Sequence, residues 1–503
     1  MPTVELLVAI DAGTTGVRAI SVGLDGQVRD VSYRELTQHY PAAGLVEHDP
    51  GEIWRLVETT LNELVARLLA EPTNSVVAIG LTNQRETAVA WSRRTGKPLH
   101  NAIVWQDRRT TRRCRELEAS GFLPFVRERT GLVLDPYFSA TKWESMITEG
   151  EIDVGPELML GTVDDWICWN LTGGPAGGVH ATDVSNASRT LCYDIVEMAW
   201  SEQLCDTFKV PMRALGDVLP SAGRFGVVSR DVAGGLLAGV PLSGIAGDQQ
   251  AALFGQCCFE VGMTKVTYGT GGFVLMNLGP SCPSPADGLL TTVAWEVNGE
   301  TTYALEGAIF SAGATVQWLR DGLRIIERAE EIASLAESVD SSEGVIVVPA
   351  FTGLGSPWWD PGARGTVVGL CRGTNRAHLA RAAIEAIAFQ TRDVLESMSS
   401  SSGHLVTELR TDGGAAAMSL LLQTLADQSR LRVGRQRSVE VTALGAAMLA
   451  GLAEGVWASP ADLRRLAPAD VSFEPTLPQA RADHDYARWL DALRRSRGWA
   501  AVR

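Results

Sequence analysis

Apolar and polar positions fall into blocks along this chain, and the blocks name elements. Three strand-like runs open it, at 4–10, at 17–24, and after the Asp25-Gly26 pair, which supplies a hairpin turn. Residues 50–69 carry Ile53, Leu56, Val57, Leu61 and Leu64 at helical spacing. A strand at 76–81 follows. Much later, small and apolar residues at 243–247 suit a buried strand that turns through Gly247 into a helical run after Asp248. A second strand–turn–strand pattern, 263–267, YGTGG (268–272) and 273–277, repeats the form of the first. Strands near 290–306, helices near 308–322 and 326–338, a helix at 376–398 and a strand at 405–411 come next, and DGGAAAM (412–418) is read as opening another helix. The segment 161–173 reads as a strand or turn leading into a helix, and 180–190 is a polar loop without a period. The loop 349–365 is long and rich in Gly, Pro and Trp, which makes it a candidate for function. Residues 441–458 read as a core helix, too short and too mixed to span a bilayer.

Alternating strands and helices predict an α/β protein, and 503 residues exceed one ordinary core, so two or more domains are expected. A net charge of −15 argues against a general nucleic-acid or anionic-membrane binder. Residues 6–10 are apolar but lack a basic flank and run straight into Asp11, which is not the form of a signal peptide. Eight cysteines without a CxxC pair read as reduced thiols of a cytoplasmic protein.

Five places carry candidate chemistry. Asp248, between a buried strand and a helix, is either a helix cap or a carboxylate at a strand end where α/β proteins hold ligands. DAGTTGVR (11–18) is a tight turn whose exposed N–H groups suit phosphate oxygens, with Asp11 placed to hold Mg²⁺; the alternative is an ordinary hairpin turn. Arg85 and Glu86 in TNQRET (82–87) suit neighbouring hydroxyls of a polyol, donating to one and accepting from the next, or else form a solvated turn. Trp105, Tyr137 and Phe138 are either core residues or aromatic walls for the carbon face of a sugar or polyol. Gly413 and Gly414 permit close backbone approach to an anion.

DAGTT, TNQRET, VWQDRR, DPYFSATK, GTVDDW, NASRT, SGIAGDQQAALFGQ, TYGTGGF, YALEGA, QWLRDG, VPAFTGLGSPWWDP, TRDVLE, DGGA and VTALGAA stand in an order that resembles the glycerol kinase family. These are carbohydrate kinases of the actin/Hsp70-like superfamily, and the resemblance runs from the first strand to about Gly451. It implies two ribonuclease H-like (actin-like ATPase) domains of mixed sheets flanked by helices, residues 1–256 and 257–503, with the active site in the cleft between them. It implies transfer of the ATP γ-phosphoryl group to glycerol with Mg²⁺, in a homo-oligomer (dimer or tetramer). Carried over by position, Arg85, Glu86, Tyr137, Asp248 and Gln249 hold the hydroxyls, and Trp105 and Phe273 pack on the carbon chain. Thr14, Thr15, Gly16 and Arg18 meet the terminal phosphate. Thr270, Gly313, Gln317, Gly414 and Met418 serve the rest of the nucleotide, and Asp11 the metal. Asp248 is the expected proton acceptor.

The chain also departs from the pattern. Ala12 stands in place of a usual Gln, Gly16-Val17 in place of a Ser-Ser pair, and Met418 in place of an Asn at the adenine, which implies weaker base selectivity. The loop 231–241 lacks the Gly-Arg element for fructose 1,6-bisphosphate feedback, the phosphorylatable His is missing, and Arg481 replaces a Glu of a zinc-bridged regulator contact. None of these three controls is expected. The alternatives are a kinase of another polyol or ketose, a catalytically silent nucleotide-binding homologue, and an assembly or chaperone ATPase, which would not need the Arg85/Glu86/Asp248 cluster.

Overall fold

The protein is described here by a computed structural model covering residues 3–438, 440–466 and 469–500. Its frame is two sheets of one design. In the first, Val28–Glu35, Gly16–Gly23 and Val4–Ala12 form an antiparallel trio; Asn74–Asn83 and then Pro241–Gly247 add parallel to Val4–Ala12, and Ala222–Val227 closes the far edge. In the second, Glu300–Ile309, Gly272–Gly279 and Met263–Tyr268 make the same trio, Glu408–Asp412 and Val433–Gln436 the same parallel pair, with Leu290–Val297 and Ala469–Phe473 at the edges. Both strand–turn–strand patterns read from the sequence therefore occupy the corresponding place in their sheets. The two ribonuclease H-like units expected from the resemblance are present.

Helices cover these sheets for legible reasons. Pro50–Leu68 starts where the Asp49 carboxylate accepts from Gly51 N at 2.8 Å and Pro50 presets the first turn. Its Ile53, Val57, Leu61, Leu64 and Leu68 are buried on one stripe, each contributing about 1.5–3 kcal/mol of transfer free energy. Arg376–Ser402 is capped by Asn375, whose Oδ1 accepts from Ala377 N at 2.9 Å, and it ends on Gly403 at φ 71°. The buried Asp393 on that helix accepts from Trp358 Nε1 (3.2 Å), Tyr486 OH (2.6 Å) and Trp489 Nε1 (3.0 Å). Trp359 of the same Gly/Pro/Trp loop donates to Gly288 O at 2.7 Å. The tryptophans of residues 349–365 thus strap the C-terminal helix Gln479–Ser496 and the loop itself to the core.

The helix Val441–Ala453 lies against the strands Asn74–Asn83 and Pro241–Gly247 of the first sheet and against the helix Asp248–Gly255. Glycine makes this approach possible. A β-carbon at Gly80 would sit 2.2 Å from Ala446 O, one at Gly244 2.5 Å from Ala450 N, and one at Gly445 1.9 Å from Ala251 O. No helix among the described residues is long and apolar enough to cross a membrane. The eight cysteines are free thiols.

Three local expectations are corrected. The helix expected at 308–322 gives way at its start to a strand reaching Ile309, because Ala308 and Ile309 pair with Phe273 and Gly272; the helical part is Gly313–Gln317 followed by a wide turn, Trp318–Gly322. The helix expected at 326–338 is only Glu331–Glu337. DGGAAAM does not open an α-helix: Gly413, at φ 84° and within 2.3 Å of Tyr268 O at its would-be β-carbon, leads into a 3₁₀ turn, Gly414–Ala417, and the helix begins at Ser419.

Candidate active site

Asn83, Gly247 and Asp412 end their strands, Asp11 stands one residue before the end of its own, and Tyr268 leads into the glycine turn. Thr14, Thr15, Arg85, Glu86, Asp248, Gln249 and Gly414 lie just beyond these carboxyl ends, which is where open α/β sheets present ligands. Asp248 is the first residue of its helix rather than the cap, which is Gly247. Its Oδ1 accepts from Gln249 N at 2.7 Å and faces Arg85 Nε at 3.3 Å. The bond from the Gln249 backbone and the site contact use the same oxygen.

Arg85 reaches across the molecule. Its Nη1 pairs with Glu306 Oε2 at 2.5 Å and its Nη2 donates to Tyr137 OH at 3.2 Å. Arg189 completes a buried square, its Nε donating to Glu86 Oε1 at 2.7 Å and its Nη2 to Glu306 Oε1 at 2.9 Å. Burial by itself would raise the Glu306 carboxyl, but Arg189 and Arg85 hold it down to about 2. Glu86 sits at φ 60°, a strained position for a residue with a β-carbon, costing on the order of 1–3 kcal/mol. Neighbours pin it there: Ser139 Oγ and the buried Lys142 Nζ donate to its carbonyl at 3.1 and 3.3 Å. Side-chain exposure separates the carboxylates: Asp248 is 31% exposed, Glu86 2% and Glu306 0%. Only Asp248 of the three opens outward. Burial raises its pKa, with Arg85 and Lys265 opposing.

The aromatic residues touch both this square and the phosphate turn. Trp105 and Tyr137 pack edge to face at 5.6 Å between centroids, and Trp105 Nε1 donates to Thr14 Oγ1 at 3.0 Å. Phe138 is fully buried core. Phe273 is half-buried and leans on a core that includes Ala246, Leu253 and Leu275. The turn itself closes with Gly13 N donating to Gly16 O at 3.0 Å. A β-carbon at Gly16 would meet the Tyr33 ring at 2.5 Å, so Tyr33 fills the space that the serine of the usual pattern would need. Thr15 is exposed, and Arg18 is drawn to Glu440 at 3.0 Å, more closely than to Asp11 at 3.9 Å. Burial pushes the Asp11 carboxyl up to about 7 against Arg18, and Asp248 and Glu440 add to the rise.

The second turn is built like the first. Ala314 N and Ala312 N donate to Thr270 O at 2.9 and 3.0 Å, and Gly313 N donates to Gly269 O at 3.0 Å. Gly269 and Gly414 have nothing within 4 Å of a would-be β-carbon, which leaves open cradles. Gln317 is exposed, and Met418 is half-buried against the second core rather than standing free.

Sequence reading missed four charged residues of the site: Glu306, Arg189, Lys265 and Lys142. Glu306 and Lys265 carried a signal, each being a charge inside a run that reads as a buried strand. Arg189 carried none, because residues 180–190 look like a solvated loop yet fold as Ala181–Asp183 and Val184–Ala187 and are buried.

A carboxylate open to solvent, a buried arginine beside it, and two glycine turns facing the strand ends form a site for moving a phosphoryl group onto a hydroxyl. Comparison with known proteins agrees. The chain is 50% identical over 501 residues to the glycerol kinase of Carboxydothermus hydrogenoformans, covering 99% of both chains. It is 49% identical to that of Dechloromonas aromatica, covering 99% of this chain and 98% of the other. The crystal structure of Plasmodium falciparum glycerol kinase with ADP superposes with a TM-score of 0.93 at 33% identity, covering 99% of each chain. The xylulose kinase of Lactobacillus acidophilus, at 19% identity and TM-score 0.88 over 97% of both chains, shares the fold. Residues 6–255 match the N-terminal domain and residues 264–454 the C-terminal domain of one family, and the chain belongs to it: the FGGY family of carbohydrate kinases.

Proposed function

We infer that this chain phosphorylates glycerol from ATP, giving sn-glycerol 3-phosphate and ADP. The observation that carries the reading is Asp248: an accessible carboxylate at a strand end, fixed by its own helix and by Arg85, within a nest of groups that pair with hydroxyls. Relatives at about half identity over the full chain bear the name glycerol kinase, which supports the substrate.

In this reading Arg85 donates to one hydroxyl, Glu86 accepts from its neighbour, and Tyr137 and Gln249 complete the polar shell. Trp105 and Phe273 cover the carbon chain. The terminal hydroxyl loses its proton to Asp248 as its oxygen bonds to the γ-phosphorus; the bond from that phosphorus to the β–γ bridging oxygen breaks, and ADP leaves with the electron pair. Phosphoryl transfer has a loose transition state, so orientation by Asp248 matters alongside its basicity. Thr14, Thr15 and Gly16 offer N–H and hydroxyl donors to the γ-phosphate, and Arg18 would add charge on leaving Glu440. Thr270, Gly313, Gln317, Gly414 and Met418 serve the rest of the nucleotide, with Gly269 and Gly414 leaving the room. Asp11, a half-buried carboxylate among other anions with an arginine no nearer than 3.9 Å, fits a cation. Mg²⁺ held there, directly or through water, would neutralise phosphate charge.

The test is ADP release by the purified protein with Mg²⁺–ATP, with and without glycerol, beside dihydroxyacetone and xylulose. Release that depends on glycerol and prefers it is expected. Release indifferent to all three would overturn the reading.

A further inference from the structure

Lys265 belongs to none of the roles above, and it is the charge least expected where it stands. It is fully buried on the strand Met263–Tyr268, between the buried Thr264 and Val266. Its Nζ donates to Gln249 Oε1 and, at 2.9 Å, to Thr267 Oγ1. An ammonium has three donors and no acceptor, so only the carbonyl end of an amide can face it. The two partners come from different sheets: Gln249 follows the Pro241–Gly247 strand of the first, and Lys265 belongs to the second.

We propose that Lys265 is a positioning residue that holds the Gln249 amide with its NH₂ toward the polyol, so that the pocket presents an acceptor from Asp248 and a donor from Gln249 side by side. This rests on the polyol-phosphorylating reading above. The backbone supports the arrangement, because Gln249 N already donates to Asp248 Oδ1 and ties the two side chains to one helical turn. A hydroxyl lying between them accepts from Gln249 and donates to Asp248. That direction of hydrogen bonding sends its proton toward the carboxylate. Without Lys265 the amide is free to turn, and a flipped Gln249 would offer a second acceptor and compete for that proton.

The charges facing Lys265 are Asp412, Asp248, Arg85 and Glu306. Burial lowers the ammonium to about 8, with Asp412 and Asp248 resisting and Arg85 adding to the fall. Below that pH the lysine is charged and the amide is fixed. Above it the neutral amine gains a lone pair that accepts from an NH₂ as readily as it donates to a carbonyl, so the orientation is lost. Glycerol kcat/KM should therefore fall as pH rises through about 8.

Steady-state kinetics against glycerol and ATP tests this on the full chain with wild type, Lys265→Met and Gln249→Glu. Losing a fixed donor costs about tenfold or more in glycerol KM. Lys265→Met is expected to show that rise, to leave the ATP KM within about twofold, and to lose the alkaline fall in kcat/KM. Gln249→Glu keeps a partner for Lys265 but has no NH₂, so a similar rise in glycerol KM is expected. If Lys265→Met does not fold, Gln249→Glu and the wild-type pH profile decide. A Gln249→Glu enzyme with wild-type glycerol KM would overturn the inference, and so would a Lys265→Met enzyme that keeps both the KM and the alkaline limb. If wild type shows no glycerol dependence at all, the polyol reading falls first and this inference falls with it; glycerol dependence with unaffected variants overturns the inference alone.

Discussion

The Asp248 carboxylate serves two contacts with one oxygen: Oδ1 accepts from Gln249 N in the first turn of its helix and faces Arg85 Nε. Asn at this position preserves the shape and can keep both contacts through its carbonyl oxygen, but it cannot accept a proton. Asp248→Asn is therefore expected to hold glycerol KM within about threefold while turnover falls by about 10²–10⁴, the range for a removed general base. Turnover near wild type would rule Asp248 out of that role. This residue stood at a legible junction of buried strand and helix, where an aspartate is commonly a cap, and it was the other motifs of the chain that marked it as a ligand carboxylate. Arg85 and Glu86 were legible as charges just past a buried strand, and Trp105 and Tyr137 as aromatics in polar surroundings; the structure links all four to Asp248, Arg85 touching it, Glu86 and Tyr137 touching Arg85, and Trp105 packing on Tyr137. Their charge partners were not. Glu306 and Arg189 are 221 and 103 residues from Arg85 and Glu86 respectively, and no local pattern announces pairing at that distance.

At the scale of elements, the helix Val441–Ala453 is the most informative. Hydropathy alone marks it as buried, since eleven of its thirteen residues lie in the core and none of its faces is polar. What hydropathy could not give is its partner, which is the first sheet rather than the second sheet beside it in sequence. The information sits in glycines: Gly80 and Gly244 on the sheet face this helix's backbone at 2.2 and 2.5 Å from their would-be β-carbons, and Gly445 on the helix faces Ala251 of the helix Asp248–Gly255 at 1.9 Å. Gly445→Ala sets two effects against each other. Alanine favours the helix by about 0.8–1.0 kcal/mol. A methyl group 1.9 Å from Ala251 O forces two backbones apart, which costs about 1–3 kcal/mol in a packed core. The clash is expected to win, lowering the urea midpoint with little change in slope. A midpoint at or above wild type would mean that the helix does not pack this closely. The short elements were misread for the opposite reason: Ala308 and Ile309 join a strand only because Phe273 and Gly272 are there to pair with them.

For the whole molecule, the two sheets could be read as repeats because both carry strand, glycine turn and strand in the same order. Besides an apolar core shared by both sheets, a buried charge network joins one repeat to the other. Glu306 rises from the second sheet and is shared by Arg85 and Arg189, which the first half of the chain supplies. Its depressed pKa means that this contribution is present above the ordinary glutamate range and is lost as pH falls through about 2, so it is fully in force at neutral pH. Glu306→Gln keeps the volume and removes the charge, leaving two buried guanidinium groups with Glu86 as the remaining close carboxylate between them. Breaking one side of such a pair costs about 3–5 kcal/mol, because the stranded charge stays out of water. The urea midpoint of the variant should therefore fall well below wild type. A second effect separates this from simple weakening. Arg85 is aimed by Glu306, so a loosened Arg85 should bind glycerol less tightly. Glycerol at about 100 times its Kd would stabilise the wild type by about 2.7 kcal/mol, and the variant should show much less of that gain at the same glycerol concentration. If the variant unfolded early but kept the full glycerol stabilisation, Glu306 would be holding the halves together without aiming Arg85.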